Sequence, residues 1–198
     1  MTMPEPIALA EDFELGSERL TMRLHDPKLA QSTSDYYQRN RAHFAPYCPL
    51  REPAFHDTEA WLKRSVELRQ ASLSGQALQL LLFRRDPGSS EVIGDVNFTN
   101  IVRGVFQAGH LGYQLDCEYV GKGLMQEALT IGIAYVFRKM NLHRVMANYV
   151  PTNERSARLL RRLGFQVEGF ARDYLFLEGQ WKDHLLTSLN NPAFQVLA

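Results

Sequence analysis

The glycine pair around Lys122 most constrains what this chain can fold into. Gly121 and Gly123 stand between residues 109–116, which are predicted to form a strand, and residues 122–140, which are apolar nearly all round and predict a largely buried helix. Backbone N–H groups converge at such a strand-to-helix turn, and the helix dipole adds positive potential there. A glycine pair can also serve a tight turn alone, but its place before a buried helix favours an anion site.

Two common phosphate-binding motifs do not fit this turn. A P-loop requires a glycine five positions before Gly123 and a lysine directly after it, where this chain has Glu118 and Leu124. The dinucleotide fingerprint requires a third glycine where this chain has Gln126, and an acidic residue about twenty positions on, where residues 141–143 read Asn-Leu-His. The turn is therefore predicted to hold an anion by another arrangement.

The periodicity of apolar residues and the positions of turn residues predict the remaining helices and strands. Because the turn at residues 86–90 joins two strands as a hairpin, the sheet is predicted to be partly antiparallel, with helices on its faces. We predict an α/β (α+β) fold with one mixed sheet and one domain over residues 17–190. An acidic, solvated arm over residues 1–16 is expected before it, and a C-terminal tail over residues 191–198 after it. The further predicted strands are 19–25, 77–84, 91–100, 143–150, 165–177 and 182–189, and the further predicted helices are 28–43, 57–73 and 153–163.

Composition excludes several classes of protein. The 22 basic and 22 acidic residues cancel, so the chain has no polycationic character for binding DNA or an anionic membrane. A hydrophobic content of 45% excludes a disordered chain. The N-terminus lacks the basic start and apolar core of a signal peptide, and no apolar stretch approaches the ~20 residues that span a bilayer. We expect a cytoplasmic protein.

Cysteine and histidine usage gives no metal-binding pattern. Cys48 and Cys117 are the two cysteines, and no two of the six histidines are spaced three to five residues apart. We therefore expect neither a structural metal nor a disulfide framework. Basic residues outnumber acidic ones between residues 138 and 162, which fits either a solvated helix face or a local anion site.

Two segments of the chain resemble the cofactor-binding segments of the GNAT acetyltransferases. Residues 121–123 resemble that family's pyrophosphate loop at a strand-to-helix turn. Residues 153–157 (NERSA), followed by LGF at 163–165 and EG at 168–169, are similar to its second cofactor segment. In finer detail, residues 17–190 are similar to the RimJ branch of the family, the ribosomal-protein-alanine N-acetyltransferases. The resemblance implies the GNAT acyl-CoA N-acyltransferase fold, with acetyl-CoA as cosubstrate and no metal.

The resemblance also implies where acetyl-CoA binds. A pantetheine arm carries two amides and can pair with a free strand edge as an added strand would. Arg158, Arg161 and Arg162 are neighbours for the adenosine-linked phosphate, and the sequence does not choose among them. The implied pyrophosphate contacts are Val120, Gly121, Lys122, Gly123, Leu124 and Met125, the implied pantetheine contacts are Tyr113, Gln114 and Leu115, and Asn153 and Ser156 complete the set.

Three residues are candidates for the chemistry that the resemblance implies. Ser156 is expected near the sulfur, where it polarises the thiolate or relays a proton, although a surface serine fits the pattern as well. Asn153 equally fits a helix N-cap that accepts from the Ser156 N–H. Tyr174 is the alternative proton donor, since a phenol with a pKa of ~10 matches a thiolate better than an alcohol does; a half-buried strand aromatic is its other interpretation. The candidate base is Asp173, and the alternatives are Glu118, Glu168 and Asp183.

The acceptor site is expected at residues 43–50, between the first two predicted helices, and at the turn 178–181. Phe44, Tyr47 and Trp181 are candidate walls of a groove for a peptide end, although core or loop packing explains each of them as well.

The resemblance implies transfer of the acetyl group of acetyl-CoA to the N-terminal α-amine of a protein, namely an alanine-initiated ribosomal protein. Two alternatives stay open. One is an acetyltransferase for a small amine such as a polyamine, an antibiotic or an amino acid. The other is a CoA-binding factor in ribosome assembly or regulation. No DNA or membrane partner is expected, and the sequence fits a monomer or a homodimer.

Overall fold

An eight-stranded sheet runs through the protein in the computed structural model, which describes residues 9–86 and 89–195. The strands are β1 (Glu14–Gly16), β2 (Leu20–Leu24), β3 (Leu78–Arg84), β4 (Gly94–Val102), β5 (Ala108–Leu115), β6 (Arg144–Met146), β7 (Gln166–Leu177) and β8 (Gln180–Asn190). Their order across the sheet is β1-β2-β3-β4-β5-β6-β8-β7. All neighbouring pairs are antiparallel except β5 and β6, which are parallel. The predicted mixed sheet is confirmed.

Helices cover both faces of this sheet. In the described part of the chain they are α1 (Ala30–Arg39), α2 (Arg41–Phe44), α3 (Thr58–Leu73), α4 (Leu124–Arg138) and α5 (Glu154–Arg162). Successive side chains of β4 point to opposite faces. Phe98 lies against α4, where its ring meets Gly132, whereas Asp95 accepts a hydrogen bond from Tyr36 of α1. The main core lies on the α4 face, and a second cluster around Tyr36, Leu81 and Phe83 lies under α1.

Local sequence sets the ends of α5. The Asn153 side chain accepts from the Ser156 N–H at 3.1 Å, which confirms the predicted N-cap. The helix stops before Gly164, whose φ of +90° is the left-handed conformation predicted for it.

The predicted helix 28–43 is wrong as a single element, because it breaks at Asn40. This residue is buried and adopts φ −99°, ψ 8° between α1 and α2. Its amide group donates to Asp116 at 2.8 Å and accepts from the Cys117 N–H at 2.9 Å. A long-range tie to the end of β5 therefore replaces the helical geometry that the local pattern favours.

The predicted solvated arm is wrong at its C-terminal end. Residues 14–16 form β1 at the sheet edge, where they pair with β2, and Phe13 and Leu15 pack against the core. Their apolar burial outweighs the acidic character of the segment. Residues 1–8 of the arm and 196–198 of the tail lie outside the described residues, and the division at residues 17 and 190 stays a prediction.

The parallel pair β5–β6 separates partway along its length. Pairing ends at His110 opposite Met146. Beyond that point the chain after β6 stays with β8, since the Ala147 and Tyr149 N–H groups donate to β8 carbonyls at 3.0 and 3.1 Å. A gap therefore opens between the second half of β5 and residues 147–150. Among the described residues, none of the helices has both the length and the apolar character that crossing a bilayer requires.

Candidate active site

The turn that contains Gly121 and Gly123, here called the glycine turn, lies between the end of β5 and the start of α4. Gly121 and Gly123 have φ values of +82° and +76°, a left-handed conformation that side-chain-bearing residues rarely adopt. Gly123 is the N-cap of α4 and offers no side chain to the N–H groups of the first helical turn. Arg19 holds the turn from outside, donating to the Lys122 carbonyl at 3.0 Å and pairing with Glu127. The helix begins at Leu124, so the predicted start at residue 122 was two residues early.

A cavity of about 450 Å³ opens in front of this turn. It brings together most of the predicted cofactor residues. Lys122 is the exception, because its ammonium group lies over the Tyr119 ring at 5.1 Å and it is absent from the cavity wall. The lining includes Tyr113, Gln114, Leu115, Val120, Gly121, Gly123, Leu124, Met125, Asn153 and Ser156.

The wall of this first cavity is cationic. Arg155, Arg158 and Arg162 of α5 line it, and none of its described lining residues is acidic. Arg158 pairs with Glu154 at 2.9 Å. Arg161 is one of the three arginines predicted from the sequence, but it does not line the cavity. Arg155 was not predicted, and it does line the cavity. Positive-φ glycines at a helix N-terminus together with arginines and no carboxylate suit a polyphosphate ligand.

Tyr113 and Ser156 meet across the gap between β5 and α5. Their hydroxyl oxygens lie 2.6 Å apart, and either can donate. Burial raises the pKa of Tyr113 to about 12, although the Ser156 hydrogen bond opposes that rise. The sequence placed Ser156 near the thioester but gave Tyr113 only a backbone role, because the contact joins residues 43 positions apart.

Tyr174 and Asp173 lie on β7, outside the walls of the first cavity. The Tyr174 hydroxyl accepts from the Asn148 amide at 3.1 Å, and its ring packs 5.4 Å from that of His184. Asp173 is exposed, at an irregularity of the β7–β8 pairing, and its N–H donates to Asp183. Their catalytic roles stay predictions. Of the alternative bases, Glu168 pairs with Ser188 and Arg144, which lowers its pKa.

The two predicted acceptor segments meet in the structure. The Glu178 N–H donates to the Cys48 carbonyl at 3.2 Å, which joins the β7–β8 turn to residues 43–50. Phe44 and Tyr47 line the first cavity. Trp181 is 60% exposed and rests on Phe176, outside the cavity walls. The acceptor roles of these three aromatic residues stay predictions.

A second cavity of about 270 Å³ adjoins the first through the β5–β6 gap. Tyr47, Tyr113, Gln114, Asn153 and Ser156 line both. The new feature on its wall is Asp95, a carboxylate that is 1% exposed. Asp95 was not among the site residues predicted from the sequence. An aspartate within an otherwise apolar strand is, however, a signal from which it could have been predicted.

Burial raises the pKa of Asp95 to about 6, against the hydrogen bonds that lower it. Those hydrogen bonds come from the Tyr36 hydroxyl at 3.0 Å, the Tyr37 hydroxyl at 3.2 Å and the Asn97 amide.

Sequence families and known proteins resemble this chain along most of its length. Residues 19–166 match the family described as the acetyltransferase (GNAT) domain. The chain is 44% identical over 178 residues to the ribosomal protein uS5-alanine N-acetyltransferase of Escherichia coli strain K12, an alignment that covers 90% of this chain and 91% of that protein. It is 31% identical over 163 residues to the probable N-acetyltransferase YjcK of Bacillus subtilis strain 168, covering 82% of this chain and 89% of that one.

Solved structures agree with these sequence matches. The crystal structure of the ribosomal-protein-S5-alanine acetyltransferase from Vibrio fischeri superposes with a TM-score of 0.88 at 39% identity, covering 93% of this chain and all of that one. Mycobacterium smegmatis RimJ in complex with CoA-disulfide superposes with a TM-score of 0.81 at 25% identity, covering 86% of this chain and 81% of that one.

Proposed function

The chain belongs to the GNAT acetyltransferase family and is an acetyl-CoA-dependent N-acetyltransferase, and we propose that its acceptor is the N-terminal α-amine of an alanine-initiated ribosomal protein. The observation that carries the acceptor class is the 44% identity to the uS5-alanine N-acetyltransferase over nine-tenths of both chains. Because the relative acts on a bacterial ribosomal protein, we place this enzyme in the cytoplasm as part of the same proposal.

The proposed cofactor site is the first cavity, with the diphosphate at the glycine turn. N–H groups of residues 120–125 would bind its oxygens, and Arg155, Arg158 and Arg162 would neutralise the remaining phosphate charge. The separation of β5 from β6 after His110 supports this placement, because it leaves backbone groups of β5 without a strand partner on that side. The two amides of a pantetheine arm can pair there.

The thioester supplies the acetyl group, and the chain supplies orientation and protons. We assign the delivery of a proton to the departing thiolate to the Tyr113–Ser156 pair, with Ser156 nearest the sulfur and Tyr113 behind it. Asn153 fixes Ser156 by capping α5. The short hydroxyl–hydroxyl distance supports a relay, since a proton can pass along such a pair without rearrangement of the backbone.

An N-terminal amine suits this chemistry better than a lysine does. With a reference pKa near ~7.8, on the order of one α-amine in seven is neutral at pH 7, whereas fewer than one lysine in a thousand is. The site therefore has less deprotonation to perform for an α-amine.

A peptide panel tests the proposal. Thiol release from acetyl-CoA should be rapid with a peptide that begins with alanine and copies a ribosomal N-terminus. It should be absent with the same peptide pre-acetylated at its N-terminus and carrying an internal lysine. Turnover of the lysine peptide alone would overturn the α-amine assignment.

The same panel separates the two alternatives. Turnover of spermidine, or of a free amino acid, without turnover of any peptide would establish a small-amine enzyme. Part of the chain, 66 residues or 33% of its length, is 35% identical to the spermidine N(1)-acetyltransferase of Escherichia coli strain K12, which makes spermidine the first small amine to include. Saturable CoA binding with no turnover of any amine would favour the assembly or regulatory factor.

A further inference from the structure

The second cavity lies where an acceptor amine would have to approach the thioester. It shares the Tyr113–Ser156 pair with the first cavity. Cofactor and acceptor could therefore enter from opposite sides and meet at this pair. The remaining wall includes Asn97, Asn148 and Tyr149, polar groups that suit a polar guest.

Of the described residues that line the second cavity, Asp95 is the one with a formally charged side chain. Its hydrogen-bond donors, two phenols and one amide, are all neutral. Within residues 9–86 and 89–195, no lysine or arginine nitrogen lies within ion-pair distance of it. A buried carboxylate without a counter-ion is costly, so the fold maintains a negative charge that no cation of the described residues neutralises by direct contact.

The carboxylate also has acceptor capacity left. A carboxylate offers about four lone-pair positions. Oδ2 receives the Tyr36 and Tyr37 hydroxyls, whereas Oδ1 receives the Asn97 amide and no second donor from the residues that the structure describes. One position on Oδ1 is therefore open for a donor from the cavity, and a cationic donor would supply the missing counter-charge.

We propose that Asp95 binds the ammonium form of the acceptor's amine in the second cavity and takes its proton, directly or through one water. This inference rests on the proposed function, since it presumes an amine acceptor and a thioester in the first cavity. It moves the base from Asp173 on the exposed hairpin to a buried residue of β4.

The step balances in protons and electrons. One N–H proton of the ammonium passes to the Asp95 carboxylate, and the freed nitrogen lone pair forms the C–N bond at the thioester carbonyl. The π pair of the carbonyl moves onto oxygen as the C–N bond forms; when it returns, the C–S bond breaks and its electron pair leaves on sulfur. A second N–H proton passes to the Tyr113–Ser156 pair as the amide forms, and the pair delivers a proton to the thiolate through Ser156. Asp95 finally releases its proton to solvent.

The surroundings tune Asp95 for this role. Burial holds its pKa at about 6, so the residue is ionised at neutral pH but far more basic than an ordinary carboxylate. Tyr36 and Tyr37 face it from α1, Asn97 shares its strand, and Gln114 lies opposite on β5. Arg51 favours the ionised form from a distance. Besides Asp95, the titratable groups that line the second cavity in the described part of the chain are Tyr47, Cys48, Tyr113, Tyr149 and His184.

Asp95→Asn tests the proposal, with Glu59→Gln on the exposed side of α3 as the matched control. The amide keeps an oxygen for the two phenols, so the variant is expected to fold and to bind CoA as the wild type does. With an alanine peptide at pH 7, kcat/KM should fall about a hundredfold, the lower range for loss of a general base. The deficit should narrow as pH rises, because free amine then needs no base.

The pH profile distinguishes a proton acceptor from a merely structural residue. Wild-type kcat/KM should fall below about pH 6, where Asp95 protonates. This fall is the acidic limb of the pH profile. In Asp95→Asn this limb should move up to the amine's own pKa, near ~7.8. Tyr37→Phe removes one donor from Oδ2 and should move the limb to a pH above the wild-type value, whereas Asp173→Asn and His184→Gln should leave it in place. A limb unmoved in Asp95→Asn, or moved by Asp173→Asn or His184→Gln instead, would overturn the proposal.

A binding measurement tests the ammonium site without depending on which acceptor is natural. The carboxyl ¹³C resonance of Asp95 can be titrated with alaninamide as the probe and N-acetylalaninamide as its uncharged control. Alaninamide should lower the apparent pKa of Asp95, and the acetylated control should not. Equal effects of the two would contradict an ammonium site. Failure of wild type in the peptide panel would contradict the proposed function instead, which keeps the two failures apart.

Discussion

The hydroxyl oxygens of Tyr113 and Ser156 lie 2.6 Å apart, although one residue belongs to β5 and the other to α5. The contact lies beyond the point where β5 separates from β6, and both cavities reach it. A residue pair in that place can serve the sulfur of a thioester held on one side and an amine that arrives from the other.

Removing either hydroxyl should slow the chemical step. We expect Ser156→Ala and Tyr113→Phe each to lower kcat by about ten- to a hundredfold with little change in KM for acetyl-CoA, because the lost group acts on the leaving thiolate and not on the bound cofactor. The double variant should cost little more than the worse single one, since the two residues form one relay. Fully additive losses would show that the two hydroxyls act independently, and steady-state kinetics on all three variants decides.

The effect of replacing an arginine of α5 on KM should depend on whether that arginine lines the first cavity. We expect Arg155→Ala, Arg158→Ala and Arg162→Ala to raise KM for acetyl-CoA by about tenfold, near the low end of the range for a lost charge-assisted hydrogen bond. Arg161→Ala is the matched control, because its side chain is absent from the cavity wall. The arginine on the 3′-phosphate is the one whose substitution no longer matters when the donor is 3′-dephospho-acetyl-CoA. An equal effect at Arg161 would mean that general charge explains the result.

Gly132 tests the packing that holds α4 on the sheet. A Cβ at this position would lie 3.1 Å from the buried Phe98 ring. We expect Gly132→Ala to destabilise the protein, because overpacking costs about 1–3 kcal/mol against a helix-propensity gain of about 1 kcal/mol. Chemical denaturation of both proteins measures the difference. Thr130→Ala, exposed on the same helix, should change the free energy of unfolding little; a stabilised Gly132→Ala would show that the ring moves aside easily.

The free energy of unfolding should depend on pH through Asp116. Burial alone would raise its pKa, but hydrogen bonds from Asn40, the Glu118 N–H and Arg39 outweigh burial and lower it. The unfolded chain binds the proton more tightly, so this stabilisation is present above the ordinary aspartate pKa of about 3.9 and is lost as pH falls through the lower folded value. The penalty of Asp116→Asn should therefore be larger at pH 7 than at pH 3, as urea denaturation at both pH values would show. A penalty independent of pH would contradict the ionic contribution.

Local signals predicted the parts of the site that single segments build. The glycine turn, the Asn153 cap and the left-handed Gly164 each depend on backbone conformations that a few neighbouring residues set. The strand order and the break at Asn40 depend on partners far along the chain, which periodicity does not reveal.

Long-range contacts also explain what the sequence missed in the site. Asp95 receives two of its three hydrogen-bond donors from α1, 58 and 59 positions away, and Tyr113 meets Ser156 from 43 positions away. Arg158, Arg161 and Arg162 were predicted because they end the basic stretch of the sequence. On a helix, however, the face decides which arginine reaches a cavity, and Arg155 takes the place of Arg161.

The most direct test of the account is the affinity of the protein for CoA compared with pantetheine, measured by calorimetry for wild type and for Gly121→Val. The Cβ of a valine would meet no atom within 4 Å at this position, but φ of +82° is strained for a β-branched residue, so the substitution should alter the backbone of the turn with little steric disturbance elsewhere. We predict that wild type binds CoA far more tightly than pantetheine and that Gly121→Val loses at least tenfold of that preference while keeping its affinity for pantetheine. An undiminished preference for CoA in the variant would mean that the diphosphate binds elsewhere and would contradict the account.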